Sequence, residues 1–600
     1  MAHPIRRFDA SAVHTASMDT GCVAAAATNG DASVFGDHTR LVAVWGRPRF
    51  THGDLEVTAQ QGIARTVALA YDQQGTQLFE SLSGSFALAV LNRHTGEAIL
   101  ATDRIGTRPL YYAVTADTVV FGSSLDAISA CPSMQSNVDP QSIYDYVSFH
   151  VVPGPRTVYA GSTRVLPGSF VSWRNGALRT QPYWSMRFVE DDEQPWPELK
   201  EKFLALLRNS VRETASHGTV GTFLSGGTDS STIAGLLAEI VGNDVRTFSI
   251  GFDAEGYDEM HYARIAARHF RTRHHEYYVT PEDVVAAIPR IASAHDQPFG
   301  NASAVPTYYC ARLAREEGVD TLLGGDGGDE LFGGNDRYAK QYLYSLYSDL
   351  PDTARKKLIE PLLFLFPEKG ILGLAQRYTR NACVPMPARY DNHNLLEHLG
   401  PRRVFTDEFL HEVDAAQPSE LLRQAYEASN ARSLINRMLA LDLRFTLADN
   451  DLPKVRRSCE LAGVDVQFPL LHDSLVAFSA RLPPQLKLRG TRLRYFFKKA
   501  LRGFLPDEVI SKTKHGFGLP FGLWLQTHRE LREIAMDSLS DLKQRDVIRS
   551  GFLDELMSAR VAEHPAYYGT MVWVLMMLEQ WFDQRKAISP PVRGSQYATS

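Results

Sequence analysis

No stretch of this sequence approaches the ~18–20 apolar residues that a helix needs to cross a bilayer. The densest run, residues 571–578, is short enough to be a buried helix. Cysteine is scarce: Cys22, Cys131, Cys310, Cys383 and Cys459 lie far apart, and no two have the spacing of metal ligands. Their odd number argues against a disulfide framework, so a reducing, cytoplasmic setting is expected. The first 14 residues hold two arginines but no apolar core, so a secretory signal is not expected. Positive charge is not in excess either. With 63 Lys and Arg against 69 Asp and Glu the net charge is -6, which gives general nucleic-acid binding no support.

Core-building material is ample, at 44% hydrophobic residues, and 600 residues call for two or more domains. Residues 30–185 read as β-rich: strand-like runs at 86–91, 98–102 and 118–121 alternate with turn residues at 93–96 and 106–109. A polar, acidic, proline-containing stretch at 189–197 reads as a linker. The expected division is 1–188, 189–588 and a disordered tail at 589–600.

Beyond the linker the periodicity changes. Residues 220–224 form an apolar strand, and from Asp229 onward Ile233, Leu236, Leu237, Ile240 and Val241 share one helical face. Strands follow at 245–252, 276–279 and 319–323, with helices at 259–269 and 305–316. Thr280-Pro281-Glu282-Asp283 starts another helix, with a capping side chain, proline in the first turn and early acids. Strands alternating with helices predict a parallel α/β sheet covered on both faces, whose ligands bind at the strands' carboxyl ends. Residues from about 340 to 586 read as mostly helical.

Two loops carry the chemistry. The first, Ser225-Gly226-Gly227-Thr228-Asp229-Ser230-Ser231, leads from strand into helix. Its glycines let the backbone approach an anion, helical N–H groups point at it, and the hydroxyls add donors. The Gly-Lys-Ser/Thr ending of a Walker loop is missing, and alone the segment also reads as a turn capped by Asp229. The second, Gly324-Gly325-Asp326-Gly327-Gly328-Asp329-Glu330, ends the fourth strand and brings acids to the same sheet edge. Asp229 and Asp329 would share a Mg²⁺ that also holds a triphosphate. As a calcium-binding nonapeptide the second loop would need tandem copies, and one is present.

In this order the loops resemble the synthetase domain of the asparagine synthetase family, which are ATP pyrophosphatases. The resemblance extends through Thr247-Phe248-Ser249-Ile250-Gly251-Phe252, Tyr257-Asp258-Glu259, His274-His275-Glu276 and the late segment Lys512-Thr513-Lys514-His515-Gly516-Phe517-Gly518-Leu519-Pro520-Phe521. The N-terminal half, from residues 82–87 through Asp103-Arg104-Ile105-Gly106-Thr107-Arg108-Pro109 to 153–168, is similar to the family's glutaminase domain and its junction. The implied fold is a degenerate glutaminase-like, β-rich α+β domain, then a parallel α/β synthetase domain with a largely helical C-terminal part. The implied cofactors are ATP and Mg²⁺. Ser225, Gly226, Gly227, Asp229, Ser230 and Ser231 would hold pyrophosphate, and Leu224, Ile250, Gly324 and Gly325 would line the adenosine pocket. Lys514 would stabilise developing charge. Asp326, which stands for the family's glutamate, would take a proton from the attacking amine, and Glu330 completes the catalytic set.

The departures from the family narrow the expectation. A glutaminase of this kind needs cysteine after the initiator methionine, and Ala2 stands there; Cys22 has no adjacent α-amine to act as base. The family's glutamine-binding asparagine segment is replaced by Val44-Trp45-Gly46-Arg47-Pro48-Arg49-Phe50, and its aspartate in Leu-Asp-Gly is Ser83. Glutamine hydrolysis is therefore not expected. The family's Asp-Arg-x-Ser-Met reads Arg456-Arg457-Ser458-Cys459-Glu460, and its Glu-x-Arg reads Asp465-Val466-Gln467, which implies a changed acceptor pocket. Members without the nucleophile use an amine already on the substrate, as β-lactam synthetases and lasso-peptide cyclases do. Chain length and the Gly46-Arg47-Pro48-Arg49 segment favour resemblance to the cyclase. That implies a precursor peptide as substrate and a leader peptidase and leader-binding protein as partners. A small-molecule amidoligase, β-lactam-forming or ammonia-using, stays open, as does a non-catalytic nucleotide-binding scaffold. Ten Lys or Arg between Arg481 and Lys514 read as solvated faces with one or two phosphate or peptide contacts.

Overall fold

The computed structural model describes residues 13–585 except 20, 27–30, 51–61, 116, 135, 193, 216–217, 243, 392–393 and 514–517. The expectations placed on Ala2, Lys514 and the tail at 589–600 lie outside the described residues.

The N-terminal half opens with an antiparallel pair, β1 (Val13–Met18) and β2 (Gly21–Ala26). A six-stranded antiparallel sheet follows, built from β3 (Ala32–Gly36), β4 (Arg40–Phe50), β5 (Leu82–Asn92), β6 (Glu97–Thr102), β10 (Ser169–Arg174) and β11 (Ala177–Pro182), in the order β11-β10-β6-β5-β4-β3. A smaller sheet pairs β7 (Tyr111–Thr115) with β8 (Thr118–Gly122) and β9 (Ser162–Arg164). Alternation along β4 and β5 gives each face its own core, because successive side chains point to opposite sides. Val42, Val44, Phe86 and Leu88 pack with Val67 of helix α1 (Ile63–Gln74). Ala87 and Ala89 pack with Leu100, Tyr112 and Val171 on the other face.

The second sheet is parallel throughout: β12 (Val220–Phe223), β13 (Arg246–Phe252), β14 (Arg273–Val279), β15 (Thr321–Leu323) and β16 (Asp465–Gln467), ordered β14-β13-β12-β15-β16. Strand β16 goes beyond the four strands read from sequence. It is three residues long and its partner β15 is remote in the chain, so no local pattern marks it. The winding reverses between β12 and β15, and this is the switch point where open α/β sheets bind ligands. Helices α2 (Trp196–Thr214), α3 (Thr228–Val241), α4 (Met260–Phe270), α5 (Pro281–Ala294) and α6 (Ala304–Glu316) connect and cover the strands. Helix α5 starts as its sequence requires: Thr280 and Asp283 close a reciprocal capping box behind Pro281.

Farther along, α7 (Gly328–Phe332), α8 (Leu452–Ala462) and α9 (Tyr495–Ala500) flank the sheet edge. Phe203 of α2 locks two of them. Its ring lies 5.3 Å from Phe332 at the end of α7 and 5.3 and 5.5 Å from Phe496 and Phe497 of α9, all edge-on. Residues 571–578 fall within α10 (Pro565–Asp583), a buried helix. No helix among the described residues is long and apolar enough to cross a membrane.

The stretch read as a linker is docked rather than loose. Val189 N–H donates to Ala480 O at 2.9 Å, and Asp192 pairs with Arg481 at 2.8 Å. Glu190 accepts from Ser433 Oγ at 2.6 Å and Asn436 Nδ2 at 2.8 Å. Its acids therefore serve as ligands for the helical part, a role that depends on residues more than 200 positions away.

Candidate active site

Each end of β12 and β15 sets one wall. Leu224 N–H donates to Phe248 O at 2.8 Å, fixing where the first loop leaves the sheet. Gly226 then turns with φ +70°, and a Cβ there would collide with the backbone of Ala263 on α4. Only glycine suits such a place, since it tolerates both the positive φ and the close approach. Helix α3 begins after Gly227 without a side-chain cap. A first turn without a side-chain cap is an arrangement that suits an anion. Ser225 Oγ and Ser230 Oγ lie 3.0 Å apart, and Ser230 Oγ also accepts from Ser225 N at 3.1 Å. Ser231 Oγ is buried and has no hydrogen-bond partner among the described residues.

The second loop packs onto the first through its glycines. A Cβ on Gly325 would sit 3.0 Å from Ser230 N, and one on Gly328 would collide with the Asp229 carboxylate. Together the loops border a cavity of about 1120 Å³. Leu224, Ser225, Gly227, Asp229, Ser230, Ile250, Gly325, Asp326, Asp329 and Glu330 line it; Gly226, Ser231 and Gly324 lie behind that lining.

The two aspartates converge on one cation, Arg494. Its Nη2 reaches Asp229 Oδ2 at 2.5 Å and also meets Asp329 Oδ1, while Nη1 donates to Asp229 Oδ1 and, at 2.7 Å, to Thr228 Oγ1. Burial pulls the Arg494 pKa down, but the Asp229 and Asp329 carboxylates overcome it, and the net shift is upward. No group of three or more His, Cys, Asp or Glu is gathered as a metal cage among the described residues. A pair of convergent carboxylates nonetheless suits Mg²⁺, which keeps waters and phosphate oxygens as its remaining ligands.

Behind the aspartates lies a buried acid–base cluster. Burial pushes the Asp326 carboxyl up to about 6; nearby Lys454 opposes the shift and Asp451 adds to it. Glu330 is raised well above the usual range, by burial and then by the charges of Asp329, Asp451 and Asp442. Lys454 Nζ donates to Asp451 Oδ1 at 2.6 Å. Burial pulls its pKa down, yet the carboxylates of Asp451 and Asp326 leave it raised and the amine charged.

Asp451, Lys454 and Arg494 were not singled out from sequence. Asp451 ends a π-helical segment, Asp442–Asp451, and Lys454 follows at the start of α8. Such wide turns concentrate at functional sites but leave no hydrophobic period to read. The basic run Arg481–Lys514 lies largely along the cavity. Arg492, Arg494, Lys498, Lys499, Arg502 and Lys512 all border the cavity, more than the one or two contacts expected. Lys512 Nζ reaches Ser225 O at 3.4 Å and pairs with Glu259 at 3.0 Å.

The segment Arg456–Glu460 is also placed differently. It does not line the cavity; it forms buried ion pairs, Arg456–Glu460 at 2.7 Å and Arg457–Asp296 at 2.7 Å. Arg456 lies 5.8 Å from the ring of Trp45, on β4 of the N-terminal half. Arg456 thereby reaches the N-terminal half.

A glycine- and serine-rich anion loop facing an acidic loop at the switch point of a parallel sheet, behind an antiparallel glutaminase-like sheet, defines a class: ATP-dependent ligases that form amides and release AMP. The asparagine synthase family model matches residues 202–583, and a glutamine amidotransferase domain model matches residues 55–184. The chain belongs to the asparagine synthase family. It is 25% identical to asparagine synthetase [glutamine-hydrolyzing] 1 of Bacillus subtilis, over 83% of this chain and 77% of that one. A putative asparagine synthetase of Mycobacterium tuberculosis is 29% identical over 80% of this chain and 73% of its own length. Amidase chyE of Penicillium rubens is 21% identical, covering 81% and 76%.

Proposed function

We propose that this ligase is a peptide cyclase of the lasso type. It activates an Asp or Glu side chain of a precursor peptide with ATP and closes a macrolactam with that peptide's own N-terminal amine. One observation carries this reading. Asp473, from the synthetase half, meets the end of the antiparallel β4–β5 pair where Arg49 stands opposite Ser83. It accepts from Gly84 N at 2.6 Å and pairs with Arg104 at 3.5 Å and Arg49 at 3.6 Å. Ser83 and Gly84 stand where the family places a glutamine contact. That edge is satisfied internally, which supports an amine that arrives on the substrate.

The cavity of about 1120 Å³ would hold ATP together with the reacting carboxylate. In this reading the substrate carboxylate oxygen attacks the α-phosphorus of ATP. Pyrophosphate leaves into the N–H groups and hydroxyls of residues 225–231. The amine nitrogen then attacks the acyl carbon, the C–O bond to AMP breaks, and Asp326 takes the ammonium proton. Lys454, held between Asp451 and Asp326, keeps that carboxylate ionised enough to accept it. Asp229 and Asp329 would hold Mg²⁺, which would neutralise triphosphate charge when bound. Lys514 stabilises the charge that develops on the tetrahedral intermediate and the leaving phosphate, and Glu330, whose carboxyl burial favours the protonated form, completes the catalytic set. Holding the peptide with its reacting ends together is the largest contribution asked of the protein. Residues 1–188 act as a non-hydrolysing support and 189–588 as the ligase. A leader peptidase and a leader-binding protein are its partners, in the cytoplasm.

The test is a mass spectrum of the precursor peptide after incubation with Mg-ATP, the protein and the peptidase partner. Loss of one water from the core peptide, with AMP formed in step, is the expected result. AMP formed only with aspartate and ammonia, beside an unchanged peptide, overturns it in favour of a small-molecule amidoligase.

A further inference from the structure

The two carboxylates assigned to the nucleotide's metal already share a cation that belongs to the protein. We propose that Arg494 occupies the cation position between Asp229 and Asp329 until ATP arrives. It then yields that position to the nucleotide's divalent ion and turns its guanidinium to the phosphates. This rests on the reading of Asp229 and Asp329 as metal ligands.

Geometry supports an exchange. The guanidinium engages both oxygens of Asp229 and one of Asp329. A divalent ion coordinating these carboxylates at about 2.0–2.1 Å would need the same lone pairs and would sit against a like charge. The two cations therefore compete for these oxygens. The position is not cheaply left empty either, because losing the guanidinium removes the cation that pairs with both of these partly buried carboxylates.

Arg494 is also built to move without the loops moving. Its backbone N–H is pinned to Gly333 O at 3.0 Å, just past α7, in a left-handed conformation with φ +51°. Its long side chain runs past Gly334, where any Cβ would collide with both the Asp329 carboxylate and the Arg494 guanidinium. The residue borders the cavity, as does Lys498 one helical turn on. A guanidinium fork matches phosphate as well as carboxylate, so the charge released from the aspartates has a partner in the triphosphate. The consequence is selectivity for order: free metal ion is excluded, and the ion enters with ATP.

The experiment is a titration of Mn²⁺ alone, without nucleotide, followed by electron paramagnetic resonance of the unbound ion. Wild type is expected to bind weakly, and Arg494→Met at least about tenfold more tightly. Arg494→Lys, a milder change that keeps the charge but cannot span both carboxylates, is expected to gain less but measurably. Equal affinity in wild type and both variants overturns the exchange. Adding Asp229→Asn to Arg494→Met separates the two ideas. Loss of the gained binding supports the exchange; undiminished binding in the double variant places the ion elsewhere and overturns the metal assignment itself.

Discussion

The Arg108 guanidinium donates to the Asp465 carboxylate at 3.0 Å, a buried pair whose members stand 357 residues apart. Arg108 also lies 4.8 Å from the Trp45 ring and 3.9 Å from Asp31. The contact ties the N-terminal half to β16, the edge strand next to the one that feeds the acidic loop. Removing one member strands the other's charge, which costs about 3–5 kcal/mol in buried pairs. Arg108→Met is expected to lower stability by about that much in chemical unfolding. A loss under about 1 kcal/mol would show the pair to be screened by solvent.

Gly226 makes a prediction about ATP. A non-glycine residue in the left-handed region costs roughly 1–2 kcal/mol before any clash is counted, and here Ala263 blocks the added methyl. Gly226→Ala is expected to weaken nucleotide affinity about tenfold or more, read by fluorescence titration, with the circular dichroism spectrum kept. Unaltered affinity means the loop does not hold phosphate.

Asp229→Ala is expected to abolish AMP formation while leaving the fold intact, since Arg494 retains Asp329. Turnover at the wild-type rate in that variant sinks the metal assignment.

The raised Asp326 carboxyl sets a pH dependence. A base with a pKa of about 6 is protonated and idle below that value and competent above it. The free-enzyme profile of kcat/KM is therefore expected to rise through about pH 6 to a plateau. Asp326→Asn is expected to lose that limb and about 10²–10⁴-fold of amide-forming rate, while carboxylate-dependent pyrophosphate–ATP exchange persists. An unchanged acid limb in the variant assigns the proton transfer to another group.

Most of the parallel sheet and both loops were legible in the chain. Residues 220–224 and 245–252, the one-sided apolar positions after Asp229 and the Thr280–Asp283 start are local patterns, and local patterns fix local structure. The glycines of 225–228 and 324–328 were legible for the same reason: backbone freedom and close approach leave a residue-type signature. Strand β16, the docked stretch at 189–192 and the interface role of Arg456 were not, because each depends on partners far along the chain.

The sequence by itself determined an α/β ligase with an anion loop, an acidic loop and a glutaminase-like half altered at its substrate contacts. Residue type and spacing suffice for those. The tertiary structure alone decided that Arg494 stands between Asp229 and Asp329, that burial, with Asp451 and against Lys454, raises the Asp326 pKa, and that Asp473 meets the end of the β4–β5 pair. Those are matters of charge and burial among residues brought together only by packing, and a carboxylate's pKa or its counter-ion is a property of that surrounding, not of the chain order.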